Sequence, residues 1–535
     1  MAGRFFKSDE VAAGSFSANG RVWVALFLAS LVFLAACLLH TINVPWVEED
    51  NYCGAFHSQA ARNNLRAGLR VTGGVPATFH FGPLPIPRDA YYVHHPTLMP
   101  LMVTASVAIF GESEWAAKLV PIFCSLLSAV LLWLLVCDAM DRRAAALVAG
   151  FFVTLPMELH YGDMVDFAPC LVMWMLATLL CLRYWEVRGG KRWAVLAVVC
   201  CLGAVWTDWP GYLFAIAISV SFLLEKRKRS RWFAVALLIS ALFSGLLFLL
   251  QIHHVNPEAW RDLWQAVTMR LGSGVQPGSS GIASAGGVHF GFGEWLQKIL
   301  QALGEDYLLM TWVFILTGAI YLLRNLKRPG FRWLGWAVLQ MASAGIPYML
   351  LLRNWSFIHD WASFFEIGCV AILGGLGILS IQDALDRSAW GKKLQPLGSI
   401  AALGLFVWLA AAGFMRAESQ RSQLLMLDGQ TAEPAYLIRD VGHYLAKTFS
   451  TDTTILCNFD PYYSTLPYYA QRTILNNLDT RSGWESASAD SERRFGGIVW
   501  LAAPSSAEIL ETLPEKEIVR VEIDGVSFAV WKPGH

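Results

Sequence analysis

Between Val22 and Leu39 the chain runs without a charged side chain, and it repeats such apolar stretches over most of its length. About 20 residues rising 1.5 Å each cross the hydrocarbon core of a bilayer, so runs of this kind are built for lipid. Further runs lie near residues 116–137, 144–160, 167–182, 193–207, 211–224, 232–252, 307–323, 333–351, 363–381 and 396–415. They predict a polytopic all-α membrane domain of about eleven transmembrane helices. The composition agrees: 55% of residues are hydrophobic and 15% charged, outside the proportions of a soluble globular chain.

Basic residues orient the bundle, because short loops rich in Lys and Arg stay cytoplasmic. Arg142 with Arg143, Arg183 to Arg192, Lys226 to Arg231, Arg324 to Arg332, and Arg387 to Lys393 all fall on the side of the N-terminus. The expectation is therefore N-inside and C-outside in a bacterial inner (cytoplasmic) membrane, with residues 1–21 cytoplasmic and the first span a signal anchor. The opposite side receives a first outer loop at 43–114, a Gly-rich loop at 253–306 and the turn around Trp355. Thr97 to Phe110 is apolar too, but as a crossing it would reverse every later basic loop. It reads as an interfacial or re-entrant helix.

Residues 22–415 thus form the membrane domain, and 416–535 have the composition of a soluble domain. There, β-like runs at Thr454–Cys457, Gly497–Ala502, Val519–Ile523 and Phe528–Trp531 alternate with helical stretches near 433–448 and 505–513, which predicts a small extracytoplasmic α/β module. Lys plus Arg and Asp plus Glu balance at 41 each, so no net field argues for nucleic acid. The ten cysteines show neither a disulfide framework nor zinc spacing.

Three groups of outer residues could carry chemistry. Glu48, Glu49 and Asp50 follow Trp46 directly after the first span. They suit the N-terminus of a helix beginning near Tyr52, where acids complement the dipole, and they equally suit a general base whose pKa partial desolvation raises toward working pH. Around the interfacial segment stand Tyr92, His94 and His95 on one side and Trp115 and Lys118 on the other. The aromatic residues fit a headgroup belt, while Lys118 at a span entrance can snorkel or hold a lipid phosphate. The turn from Leu352 to Trp361 crowds Arg353, His359 and Asp360 at one membrane edge, which suits phosphate binding, a metal, or a salt bridge from Asp360 to Arg353 or His359. A divalent metal stays open, although no histidine pair shows the i, i+4 spacing of a helical zinc site.

In this order the residues resemble the GT-C superfamily of membrane glycosyltransferases, near the protein O-mannosyltransferase and lipid A aminoarabinose transferase branches. The resemblance rests on a first span, then Glu48 to Asp50, then Tyr92, His94, His95, Pro96, Thr97 and Leu98, then Phe110 and Gly111, then Trp115 to Leu119, and covers about the first 220 residues. Thr97 stands where the family usually has a second proline, and Lys118 where it usually has arginine. Lys cannot make the bidentate phosphate contact of Arg.

The resemblance implies an inverting transferase that moves a sugar from a polyprenyl-phosphate donor to an acceptor hydroxyl outside the membrane. Asp50 ranks first as base, then Glu49, then Glu48. Lys118, Arg353 and His359 would hold the donor phosphate, and Tyr92, His94, His95 and Asp360 would line the substrate site. The acceptor could be a lipid, a glycan or a protein. Two rival readings are a polysaccharide polymerase or ligase, which normally carries a basic catalytic loop late in the chain, and a lipid-linked-sugar flippase or transporter, for which inverted repeats and mid-membrane charges are expected. Neither pattern is present.

Overall fold

The computed structural model of the chain describes residues 18–46, 52–224, 228–271, 290–387, 391–421, 434–459, 464–476, 478, 480–488, 494–513 and 517–532. In chain order it forms helices α1 (Ala18–His40), α2 (Tyr52–Ala67), α3 (Leu69–Thr72), α4 (Leu98–Phe110), α5 (Glu114–Ala139), α6 (Arg142–Thr154), α7 (Pro156–Tyr161), α8 (Phe167–Arg188), α9 (Lys191–Thr207) and α10 (Pro210–Leu224). They are followed by α11 (Lys228–Val255), α12 (Ala259–Arg270), α13 (Phe292–Asp306), α14 (Trp312–Asn325), α15 (Pro329–Leu351), α16 (Arg353–Ile358), α17 (Ile367–Arg387) and α18 (Gly391–Arg421). The C-terminal part adds α19 (Pro434–Thr448), β1 (Thr453–Cys457), α20 (Thr465–Ala470), β2 (Thr473–Leu475), α21 (Arg481–Ser488), β3 (Arg494–Trp500), α22 (Ser506–Leu510), β4 (Ile518–Ile523) and β5 (Val526–Trp531).

The expected apolar runs lie largely in helix, the one at 307–323 opening on a turn at Tyr307 and Leu308. Among the described residues six helices are long and apolar enough to cross a bilayer, or seven if α13 and the Leu309–Asn325 segment, bent by 84°, make one span. The run at 144–160 breaks into α6 and α7 because Pro156 disfavours helical backbone at the residue before it, and Leu155 is extended (φ −71°, ψ 130°). Helix α4, 13 residues long, reaches only about 20 Å, short of a full crossing. The stretch 253–306, expected to be a loop, holds two helices. In α13 the buried pair Trp295 and Ile299 recurs at i, i+4, the spacing of one helix face.

The chain divides into two compact units. The first comprises residues 1–41, 93–99 and 119–420. Without a hydrophobic driving force in lipid, helices associate by close packing, and small residues allow it. Gly374 and Gly375 of α17 face Phe151 and Val148 of α6, while Gly377 faces the Phe314 carbonyl of α14. A Cβ at any of the three would run into those neighbours.

Charged helix ends collect at one end of this unit. Arg183 of α8 reaches Asp138 of α5 at 2.8 Å, and Arg143 of α6 reaches Asp383 of α17 at 3.3 Å. Trp333 of α15 donates to Glu186 at 2.9 Å. Helix α8 then runs about 33 Å to Phe167 at the other end, and α9 returns to Asp208 there.

The second unit comprises residues 42–92, 100–118 and 421–535. Its five-stranded sheet has the order β2-β1-β3-β5-β4, with β2, β1 and β3 parallel and β5 antiparallel to β3 and β4. Period-2 alternation splits β1 between two cores: Ile455 and Cys457 pack under Leu437, Val441 and Leu445 of α19, and Leu456 packs with Trp484 and Ile509 on the other face. The β4–β5 hairpin closes on Asp524 and Gly525, both at positive φ (50° and 77°), as a two-residue turn matching strand twist requires. The short strand β2 was not foreseen.

In the same unit, α2 is polar yet buried. It is held by side chain to backbone bonds: Asn63 Nδ2 donates to the carbonyls of Ala77 (2.6 Å) and His80 (2.7 Å). Asn64 donates to Thr104 Oγ1 of α4 at 3.1 Å. These bonds fold the first loop onto itself.

Candidate active site

In the first unit the segment after Val93 turns both of its histidines toward carboxylates. His95 Nδ1 lies 2.7 Å from Asp208 Oδ1, and its ring stacks on Phe167 at 4.5 Å. Asp208 is placed by the break between α9 and α10: the same Oδ1 accepts from the Trp209 amide at 2.7 Å, and Pro210 opens α10, where its missing N–H costs nothing. His94 Nε2 lies 3.2 Å from Asp262 Oδ1 of α12, and Trp209 Nε1 donates to the His94 carbonyl at 2.7 Å.

Arg270 at the end of α12 acts electrostatically on His94, His95 and His359 together. Burial draws all three imidazoles below their usual range; His359 is pushed down to about 3, with Arg270 and His95 adding to the effect. Asp208 and Asp262 pull His95 and His94 part of the way back. The His359 ring sits between Trp361 (4.6 Å) and Trp355 (5.3 Å). Neutral, largely enclosed imidazoles beside a guanidinium make a site that favours an anion and can supply hydrogen bonds to it.

Asp360 does not pair with Arg353 or His359 in the structure. Its carboxylate lies 2.7 Å from Lys298 Nζ of α13. Arg353 opens α16 and is exposed.

The second unit holds the remaining candidates. Lys118 is 1% exposed, its ammonium 5.2 Å from the Trp46 ring centroid and 3.4 Å from the Val44 carbonyl. The ammonium and the indole face make a cation–π pair. The Tyr92 amide donates to the Pro76 carbonyl at 2.7 Å, and its ring meets Phe56 edge-on at 4.8 Å. Glu48, Glu49 and Asp50 lie outside the described residues.

Sequence reading missed Asp262 and Arg270. Both sit on α12, inside the stretch taken as a loop, and their signal was a helix with Asp in its first turn and Arg in its last. Among the described residues no group of three or more His, Cys, Asp or Glu side chains is arranged to hold a metal ion.

A family model described as dolichyl-phosphate-mannose-protein mannosyltransferase matches residues 94–253, the stretch that contains His94, His95 and Asp208. The undecaprenyl phosphate-α-4-amino-4-deoxy-L-arabinose arabinosyl transferase of Pseudomonas aeruginosa is 22% identical over 184 residues, 32% of this chain and 32% of that protein's length. The match to this relative thus spans about a third of its length. ArnT from Cupriavidus metallidurans bound to undecaprenyl phosphate superposes with a TM-score of 0.60 at 16% identity, over 96% of this chain and 98% of that one. The chain carries the GT-C superfamily fold. The archaeal GT-C oligosaccharyltransferase of Archaeoglobus fulgidus is also similar, with a TM-score of 0.53 at 13% identity over 89% of this chain and 69% of that one. Across the GT-C likeness, therefore, fold is retained at low sequence identity.

Proposed function

We propose that the protein is a polyprenyl-phosphate-dependent glycosyltransferase working on the outer face of an inner membrane, with its N-terminus inside and its C-terminal module outside. The observation that carries this is the cluster in which His95 meets Asp208 and His94 meets Asp262 of α12, with Arg270 of the same helix acting on His94, His95 and His359. Such a cluster suits a phosphate, and the likeness to an ArnT solved with undecaprenyl phosphate supports a lipid phosphate in particular. Arg270 joins Lys118, Arg353 and His359 as proposed phosphate ligands. Tyr92, His94, His95 and Asp360 are proposed for the sugar side, Asp360 through a carboxylate already engaged by Lys298.

In the proposed reaction the acceptor oxygen forms a bond to the anomeric carbon as the bond from that carbon to the phosphate oxygen breaks, with inversion. The electron pair leaves on the phosphate, where cations and imidazole N–H groups stabilise the developing charge. The acceptor's proton passes to Asp50, or failing that to Glu49 or Glu48. General base catalysis of this kind contributes about 10²–10⁴-fold.

The test is direct. Full-length protein in nanodiscs, given labelled polyprenyl-phosphate sugars, is expected to transfer or hydrolyse one of them. Asp50→Asn is expected to lower that rate by about a hundredfold or more while undecaprenyl phosphate still binds. Transport of the lipid-linked sugar across a bilayer without any cleavage would support the carrier reading instead.

A further inference from the structure

Helix α20 of the C-terminal module divides its residues between two tasks. Leu466 and Ala470, four residues apart, face the sheet core under α19. Tyr468 and Tyr469 do not belong to that core, though both are buried, at 4% and 5% exposure. The Tyr469 ring meets His443 of α19 edge-on at 5.6 Å, while the polar groups of both residues are turned to the first loop.

The Tyr469 hydroxyl accepts from the Trp46 amide at 2.8 Å and donates to Glu114 Oε1 at 2.6 Å. Ser464, which precedes the helix, donates its hydroxyl to the Tyr52 carbonyl at 3.2 Å. The Tyr468 carbonyl accepts from Arg62 Nη1 at 3.0 Å, the Arg62 guanidinium stacks on the Tyr468 ring at 4.3 Å, and its Nε donates to Glu112 at 2.6 Å. Trp46 is itself fully buried: a side chain at Gly54 would enter its ring, and Lys118 lies over it. Glu114 and Lys118 are four residues apart on α5, hence on one face.

Trp46 and Tyr52 are the residues on either side of the segment that bears the proposed base. We propose that α20 is a positioning clamp: Tyr469 holds Trp46, Ser464 holds Tyr52, and Tyr469 also sets Lys118 through Trp46 and Glu114. The inference rests on the glycosyltransferase reading for what the segment does. It gives the soluble module a part in catalysis that a mere shield or tether would lack. Rate is sensitive to such placement, since about 1 Å of displacement can cost a hundredfold.

Tyr469→Phe keeps the ring and removes the hydroxyl, and Ser464→Ala removes the other contact. Tyr444→Phe, on α19 against the sheet, serves as the control. Each full-length protein is assayed for sugar transfer and, separately, for hydrogen–deuterium exchange in peptides spanning residues 42–56, 453–457 and 494–500. The expected result is a kcat lowered about tenfold in each single variant and about a hundredfold in the double, with the donor KM changed less than threefold. Exchange is expected to quicken in 42–56 while β1 and β3 stay protected, and Tyr444→Phe to behave as wild type. Unchanged kcat and exchange would overturn the proposal, as would faster exchange in β1 and β3, which signals a folding defect. If the wild type turns over no donor, the glycosyltransferase reading fails and the catalytic role of the clamp with it. The exchange arm still decides whether α20 holds residues 42–56.

Discussion

His95 Nδ1 and Asp208 Oδ1 meet at 2.7 Å, with the Asp208 side chain 2% exposed and the imidazole stacked on Phe167. A buried carboxylate against Nδ1 keeps the proton on that nitrogen and fixes how Nε2 is presented. Asp208→Asn preserves the cap on the Trp209 amide but lets the amide flip, so His95 loses a defined tautomer. Transfer is expected to fall about ten- to a hundredfold with unaltered expression, read as kcat on a labelled polyprenyl-phosphate sugar. Full activity in this variant would make the pair purely structural.

Arg270 acts on three imidazoles at once, so its loss should be felt mainly in anion binding. Arg270→Gln is expected to weaken undecaprenyl phosphate binding by about ten- to a hundredfold, and Arg270→Lys by less, because lysine keeps the charge without the bidentate fork. Titration of the lipid phosphate by microscale thermophoresis checks this. Equal affinities in all three proteins would remove Arg270 from the site.

The imidazole of His359 drops from 6.5 to about 3, chiefly by burial. Between those values the unfolded chain binds a proton that the folded chain refuses, so stability rises with pH through this window and is lost as pH falls below about 6.5. His94 and His95 are shifted the same way and add the same sign. The melting temperature in detergent is expected to decline from pH 7.5 to pH 5, and less steeply in His359→Gln. A pH-independent melt of the wild type would contradict the lowered titration of His359.

Gly377 of α17 lies against the Phe314 carbonyl of α14. Gly377→Val must push the two helices apart, and overpacking of this kind costs about 1–3 kcal/mol. A lower melting temperature in detergent is the expected outcome, with the C-terminal sheet unaffected in hydrogen exchange.

The membrane helices were legible in the sequence because lipid imposes one rule on every span, apolar side chains over a fixed length. The β1, β3, β4 and β5 strands were legible by their apolar β-branched runs. Helix α2 shows where this reading stops. Its buried Gln59, Arg62, Asn63 and Asn64 look solvent-facing by composition, and only their bonds to the loop at Ala77–His80, to Thr104 and to Glu112 make burial affordable.

The site divides in the same way. By its own pattern the sequence determined a many-spanning helical chain with a C-terminal α/β domain, and it drew attention to Lys118, His94, His95 and His359 as charged or titratable groups near span ends. Only the tertiary structure decided their partners: Asp208 for His95, Asp262 for His94, Lys298 for Asp360, and Tyr469 joined to Glu114 across 355 positions of chain. Hydropathy and spacing are local properties that each residue carries with it. Which carboxylate meets which imidazole depends on where distant helices end, and that is settled by packing.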